Sequence, residues 1–133
     1  YEIEKVIFSE KIKFQDIKSL WNSMYQENLN INLSNDTEGV LQDIHWYEGI
    51  FGYFPTYALG AMISSQIKYN CPYYEEFLKK PEPEIIKNIA NWLNKNVHQR
   101  ASLYSSDEML QSISGEKLNP TYYSRHLKER FVK

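Results

Sequence analysis

The chain has 133 residues, of which 42% are apolar and 24% charged, and its formal net charge is -2. This composition is ordinary for one globular domain and excludes a collagen-like or disordered chain. Lys and Arg are spread among Asp and Glu, so no basic patch for nucleic acid is apparent. The sequence also lacks a run of about eighteen apolar residues that could cross a bilayer. We therefore expect neither nucleic acid nor a membrane as a partner.

Apolar residues recur at three- and four-residue steps along much of the chain, which predicts an all-α fold. Charged residues alternating with Ile3, Val6 and Ile7 indicate the end of a helix over residues 1–11. A second helix is expected over residues 14–27. Its apolar face would consist of Phe14, Ile17, Leu20, Trp21, Met24 and Tyr25.

The middle of the chain follows no single periodicity. Residues 28–38 are rich in Asn and Ser and lead into NDTEG, which is typical of a turn or a helix start. The pattern over residues 40–47 does not decide between a helix and an extended segment. Residues 48–55 are expected to form a loop or a small hairpin that turns at the Glu-Gly dipeptide. The prediction is thus a helical protein with a short irregular or hairpin segment around residues 44–55.

Helical periodicity returns at residue 56 and continues to about residue 70. One side of this helix would carry Leu59, Met62, Ile63, Gln66 and Ile67. Pro72 suits the first turn of a short following helix, because a first-turn residue does not need its N–H. The stretch KKPEPE at residues 79–84 resembles a linker between helices, and the strongest helical pattern follows over residues 85–97.

The last third of the chain carries helix-capping signals. Ser105 and Glu108 have the spacing of a capping box, and Gly115 lies where a helix would stop. Asn119-Pro120 then provides a cap and a first-turn proline for a final helix. The buried side of that helix is expected to carry Tyr123, Leu127 and Phe131.

The segment GVLQDIHWYEGIFGYFPTYALG, residues 39–60, combines four of the five glycines with many aromatic rings. Such a stretch is typical of an irregular cleft wall rather than a solvated linker. Five of its hydrogen-bonding side chains are candidates for a site: Gln42, Asp43, His45, Tyr53 and Tyr57. Left buried and unpaired, each would cost about 1–3 kcal/mol, so they must serve one another or a ligand. The alternative is a core loop with Trp46, Phe51 and Phe54 packed inward.

Within this segment, Asp43 precedes His45 by two residues, a spacing that allows a carboxylate to fix the tautomer and charge of an imidazole. Tyrosine hydroxyls beside such a histidine are suitable donors to a developing oxyanion. Elsewhere the sequence offers no complete catalytic site. His98 and His126 belong to no HExxH or CxxC pattern, and Cys71 has no neighbouring base, so we predict no metal ligand in this chain.

GVLQDIHW followed by GYFPTYALG resembles the C-terminal signature of the M32 family of metallocarboxypeptidases, the carboxypeptidase Taq type. The family pattern G-x-x-Q-D-x-H-W is matched by Gly39, Gln42, Asp43, His45 and Trp46. Weaker matches extend over nearly the whole chain. They are YEIEKVI at the start, the WN-x-x-M helix, the WL…VH stretch and the SGEKLNP ending.

This resemblance implies that residues 1–133 are one helical C-terminal region of a longer, two-lobed enzyme with the cleft of neurolysin and angiotensin-converting-type peptidases. The chain begins at Tyr1 without a methionine, which fits a fragment. The resemblance also implies zinc or cobalt in the parent, held upstream of Tyr1 by an HExxH helix and a Glu. The parent would release single amino acids from peptide C-termini, whereas the fragment alone is expected to bind no metal and to be inactive.

The same resemblance implies several partners: a peptide substrate, the missing N-terminal part of the same chain and, as is usual in the family, a second copy in a homodimer. The single cysteine, Cys71, and the absence of a recognisable signal peptide fit a reducing cytoplasm. A second hypothesis is a non-catalytic helical interaction module derived from this fold, because a motif can persist for packing after its chemistry is lost.

Likeness to angiotensin-converting-type peptidases, which place one His and two Tyr opposite the metal, implies roles for the five polar residues. His45 and Tyr57 are expected to donate to the oxyanion of the tetrahedral intermediate. Tyr53 is expected to contact the terminal carboxylate of the substrate. Gln42 and Asp43 are expected to orient His45 within this substrate-binding wall.

Overall fold

The computed structural model describes residues 1–9, 12–100 and 102–132. These residues form α-helices and short 3-10 turns and contain no β-strand, so the all-α prediction is confirmed. The α-helices are α1 (Glu2–Phe8), α2 (Ile17–Leu29), α3 (Ile44–Tyr47), α4 (Pro55–Tyr69), α5 (Tyr74–Lys79), α6 (Pro83–Asn96), α7 (Ser106–Ser114) and α8 (Thr121–Phe131). The chain divides into two compact units, Tyr1–Ala58 and Leu59–Lys133.

In the first unit, α2 is centred on the buried Trp21, and it ends at Asn30 in a left-handed conformation with φ 56°. The predicted apolar face is wrong at its first residue. Phe14 lies in a 3-10 turn, Phe14–Asp16, and is 90% exposed. A 3-10 helix has three residues per turn instead of the 3.6 of an α-helix. Phe14 is therefore out of phase with the apolar face of α2 and points outward. The helix predicted over residues 1–11 ends at Phe8, and its last two positions lie outside the described residues.

The undecided middle segment is built from single turns. A 3-10 turn, Val40–Gln42, leads through Asp43 into α3, which has only four residues. Residues 48–54 then form irregular turns, and no hairpin is present in this described stretch. Gly49 and Gly52 have φ values of 68° and 75°, a backbone region that residues with a side chain rarely adopt. The two glycines therefore supply the backbone conformations of the turns between α3 and α4.

Helices of the second unit confirm the predicted order. α6 begins with Pro83 in its first turn, so the end of the expected linker is already helical. The capping box is confirmed: Ser105 Oγ accepts the N–H of Glu108 at 3.3 Å, and the Glu108 carboxylate accepts the N–H of Ser105 at 2.8 Å. Gly115 ends α7 with φ 81°. Asn119 Oδ1 accepts the N–H of Thr121 at 3.0 Å and caps α8.

A buried amide joins α4 to the turn after α7. Gln66 has no exposed surface. Its Nε2 donates to Ser114 Oγ at 2.8 Å and to the carbonyl of Lys117 at 3.0 Å, and its Oε1 accepts the N–H of Asn119 at 2.9 Å. One side chain therefore bonds the last residue of α7 and two backbone groups of the loop that follows it.

The predicted buried face of α8 is wrong at two of its three residues. Leu127 and Phe131 are exposed, and only Tyr123 is half-buried. Contacts between α8 and α4 are polar and aromatic: the Tyr69 hydroxyl donates to Glu129, the Arg125 guanidinium lies 4.4 Å from the Tyr69 ring centroid, and the Tyr122 ring centroid lies 6.2 Å from it. Across the described part of the chain, no helix has the length and apolar character needed to cross a membrane.

Candidate functional site

His45, in the first turn of α3, is held at both ring nitrogens. Its Nδ1 lies 2.9 Å from Asp43 Oδ1, and its Nε2 lies 3.2 Å from the Tyr57 hydroxyl. The same Asp43 oxygen accepts the backbone N–H of His45 at 3.0 Å and so caps α3. The side chains of Asp43 and His45 are only 10% and 15% exposed. The predicted pairing of these two residues is therefore present in the structure.

The Asp43 carboxylate determines which nitrogen of His45 faces the open side. A carboxylate can only accept hydrogen bonds, so the proton on Nδ1 points towards it. Nε2 is left to face Tyr57, either accepting from the hydroxyl when the ring is neutral or donating to it when the ring is charged. Because the cap also fixes the carboxylate itself, the tautomer follows from the local fold of residues 43–45.

Aromatic rings surround this histidine within the first unit. The ring centroids of Tyr53, Phe54 and Tyr57 lie 5.2, 5.6 and 5.7 Å from that of His45. Tyr57 lies in the first turn of α4 and is 57% exposed, whereas the Asp43–His45 pair beneath it is nearly buried. The cluster thus presents tyrosine rings to solvent above a shielded carboxylate–imidazole pair.

Gln42 is the one predicted site residue that the structure does not bring to His45. Its side-chain amide donates to the carbonyl of Thr37, and its backbone N–H donates to the carbonyl of Gly39 at 2.9 Å. Within the described residues, no hydrogen bond connects Gln42 with His45. Because Gln42 ends a 3-10 turn, its side chain folds back onto the preceding turn. That Gln42 orients His45 therefore stays a prediction, and its described hydrogen bonds place it in the turn that precedes Asp43.

Glu4, a residue of α1 that no sequence motif singles out, contacts this segment. Glu4 is 6% exposed, and its Oε1 accepts both the indole N–H of Trp46 at 3.0 Å and the backbone N–H of Gly52 at 2.9 Å. Burial raises the pKa of the Glu4 carboxyl, whereas the hydrogen bonds from Gly52 and Trp46 are among the contacts that lower it, and the pKa lies below its ordinary value.

Helical periodicity assigns Glu4 to solvent because charged residues are rarely buried unless they are paired. Trp46 is the residue that could have indicated a buried acceptor such as Glu4, since a buried indole N–H needs a hydrogen-bond acceptor. The sequence does not say where along the chain that acceptor lies.

The possible metal ligands in the described part of the chain do not gather at one place. In the ranges that the structure describes, no three side chains of His, Cys, Asp or Glu form a group that could hold a metal ion. His126 Nδ1 lies 2.8 Å from Lys68 Nζ, and His98 is in an exposed 3-10 turn. A catalytic zinc site takes three protein ligands, so the described side chains do not fit such a metal.

Comparisons with known proteins agree on one family. The family model described as carboxypeptidase Taq (M32) metallopeptidase matches residues 1–131. Carboxypeptidase 1 of Bacillus subtilis is 39% identical over 98% of this chain, and thermostable carboxypeptidase 1 of Pyrococcus furiosus is 36% identical over 99%. The solved structure of Trypanosoma cruzi metallocarboxypeptidase 1 is 37% identical and superposes on the whole chain with a TM-score of 0.86.

These relatives are much longer than the chain. The matches cover 26% of the Bacillus subtilis protein and 27% of both the Pyrococcus furiosus and Trypanosoma cruzi proteins. The chain therefore spans about a quarter of the length of the proteins it matches.

Proposed function

The chain belongs to the carboxypeptidase Taq (M32) family of metallopeptidases, and from this premise we propose that it is the C-terminal part of a metal-dependent carboxypeptidase. In the parent enzyme it would form the wall of the cleft that binds the substrate and the oxyanion. The observation that carries the proposal is the Asp43–His45–Tyr57 chain of contacts, at 2.9 and 3.2 Å, beneath two exposed tyrosine rings.

Peptide hydrolysis places negative charge on the carbonyl oxygen as its carbon becomes tetrahedral. His45 Nε2 and the Tyr57 hydroxyl are 3.2 Å apart, so one oxygen atom can lie within hydrogen-bond distance of both. Asp43 accepts the Nδ1–H of His45, so a doubly protonated ring has its Nε2–H free to donate. In this state both groups can donate to the oxyanion. Gln42 would contribute through the turn before Asp43.

The metal of such an enzyme, zinc or cobalt, would be held by an HExxH helix and a Glu outside these residues. It would supply the activation of water for attack on the peptide. The residues of this chain would bind the substrate opposite it and stabilise the charge that develops.

Tyr53 would donate to the terminal carboxylate of the substrate. In the parent enzyme, Tyr53→Phe should raise KM about 10- to 100-fold with little change in kcat, because a hydrogen bond to a charged group is lost equally from the bound substrate and the transition state. Steady-state kinetics on one peptide substrate measure both constants. A loss confined to kcat would contradict a role in binding the carboxylate.

The proposed function is tested by comparing this chain with the longer protein. The upstream coding sequence should contain HExxH, and the longer protein should release single amino acids from peptide C-termini. The 133-residue chain alone should neither release them nor bind zinc stoichiometrically. A parent without HExxH and without activity would favour the non-catalytic interaction module. Release of amino acids by the 133-residue chain would contradict the proposal that the active site is divided between this chain and the missing N-terminal part.

A further inference from the structure

We propose that Glu4 is a positioning residue of this site: its buried carboxylate holds the segment between Trp46 and Gly52 at both ends and thereby fixes His45 and Tyr53 relative to each other. The proposal rests on the proposed function, because His45 and Tyr53 are its working groups. It adds a residue that lies on a different helix, far from them in sequence.

The two donors to Glu4 are the direct neighbours of two site residues. Trp46 follows His45 in α3, and Gly52 precedes Tyr53. Both donate to the same atom, Oε1, at 3.0 and 2.9 Å. A single carboxylate oxygen therefore sets the distance between the start and the end of the intervening turn.

That turn needs an external anchor. Gly49 and Gly52 both have positive φ, and a side chain at either position would meet no atom within 4 Å. Neither glycine is fixed by close packing, and glycine loses more conformational freedom on folding than any other residue. The turn is therefore held by hydrogen bonds such as the one from Gly52 to Glu4.

The anchor itself is rigid and charged. The Trp46 ring packs edge-on against the buried Trp21, with centroids 5.5 Å apart, so the indole N–H has a fixed direction. The lowered pKa of Glu4 keeps its carboxyl ionised at neutral pH. Hydrogen bonds to an ionised acceptor are shorter and stronger than those between neutral groups.

The test uses the full-length parent with Glu4→Gln and, as a matched control, Glu2→Gln from the exposed face of the same helix. Glu2 is 57% exposed and pairs with Lys5. Glu4→Gln makes the acceptor neutral and puts an amide NH₂ where Oε2 is buried without a hydrogen-bond partner among the described residues. It should therefore shift the segment and lower kcat about 10- to 100-fold, the effect expected when reacting groups are misplaced by up to about one ångström. Glu2→Gln should leave kcat unchanged. Equal kcat values for the two variants would overturn the proposal.

A double-mutant cycle separates positioning from general stabilisation. In a His45→Ala background, Glu4→Gln should have little further effect on kcat, because its effect passes largely through His45. The same fold-loss in both backgrounds would overturn the proposal. If Glu4→Gln does not fold, Trp46→Phe replaces it, since it removes the indole donor and keeps a ring. Its kcat loss should likewise shrink in the His45→Ala background, and an undiminished loss would overturn the proposal.

A spectroscopic measurement keeps the proposal distinct from the proposed function. The indole N–H resonance of Trp46, assigned by its absence in Trp46→Phe, should move in Glu4→Gln and stay in place in Glu2→Gln. If His45→Ala has normal kcat while this resonance moves, His45 has no catalytic role, but Glu4 still holds the segment between Trp46 and Gly52. If His45→Ala loses activity and the resonance does not move, the positioning role of Glu4 is contradicted and the proposed function is not.

Discussion

Replacing Tyr57 by Phe in the full-length enzyme should lower kcat by roughly 10²–10³, the loss expected when one oxyanion donor is removed. The substitution deletes the hydroxyl that lies 3.2 Å from His45 Nε2 and keeps the ring against His45. Because the oxyanion exists only in the transition state, KM should change little. Steady-state kinetics on a peptide substrate, together with amino-acid release under single-turnover conditions, measure the effect on the chemical step.

Tyr47 provides the matched control for this prediction. It lies at the end of α3, is exposed, and is outside the group of rings around His45. Tyr47→Phe should therefore keep the kcat of the unaltered enzyme. A kcat for Tyr57→Phe equal to that of Tyr47→Phe would remove Tyr57 from the mechanism and leave His45 as the donor to be tested.

Gln66→Leu should destabilise the protein by about 2–4 kcal/mol. Leucine approximates the volume of glutamine but leaves the partly buried N–H of Asn119 and carbonyl of Lys117 without their partner, and each such group costs about 1–3 kcal/mol when it finds no other. This is a large part of the 5–15 kcal/mol that ordinarily separates folded from unfolded states. Urea unfolding of the purified protein, followed by circular dichroism, gives the free energy of unfolding.

An exposed glutamine serves as the comparison for Gln66. Gln99 lies in the 3-10 turn His98–Arg100 and is exposed. Gln99→Leu should change the free energy of unfolding by less than about 0.5 kcal/mol, as is usual for surface substitutions. If both variants unfolded at the same urea concentration, the hydrogen bonds of Gln66 would contribute nothing measurable to the free energy of unfolding.

Elements determined by neighbouring residues could be predicted from the sequence. The capping box of Ser105 and Glu108, the end of α7 at Gly115 and the pairing of Asp43 with His45 each depend on residues at most four positions apart. Their geometry follows from local backbone preferences, which the sequence displays directly. The order of the helices was predictable for the same reason, from their apolar periodicity.

What the sequence could not supply was the partner of each distant contact. Glu4 looks like a solvent-facing charge and Gln66 like a polar residue on an apolar face, until Gly52 and Lys117 are placed beside them. The apolar periodicity of α8 predicts that Phe131 is buried. The helix instead contacts α4 through charged and tyrosine side chains, and apolar periodicity does not predict such contacts. The approach of Tyr57 to His45 depends in turn on the two positive φ angles at Gly49 and Gly52.

The Glu4–Gly52 hydrogen bond joins residues 48 positions apart, and this separation has a consequence for biosynthesis. At the usual 5–20 residues per second, the donor is synthesised about 2–10 s after the acceptor. During that interval the carboxylate of Glu4 lacks the N–H donor of Gly52. The turn that carries His45 towards Tyr57 can acquire its final shape only when this long loop closes, so we expect the site to be completed late during synthesis of the chain.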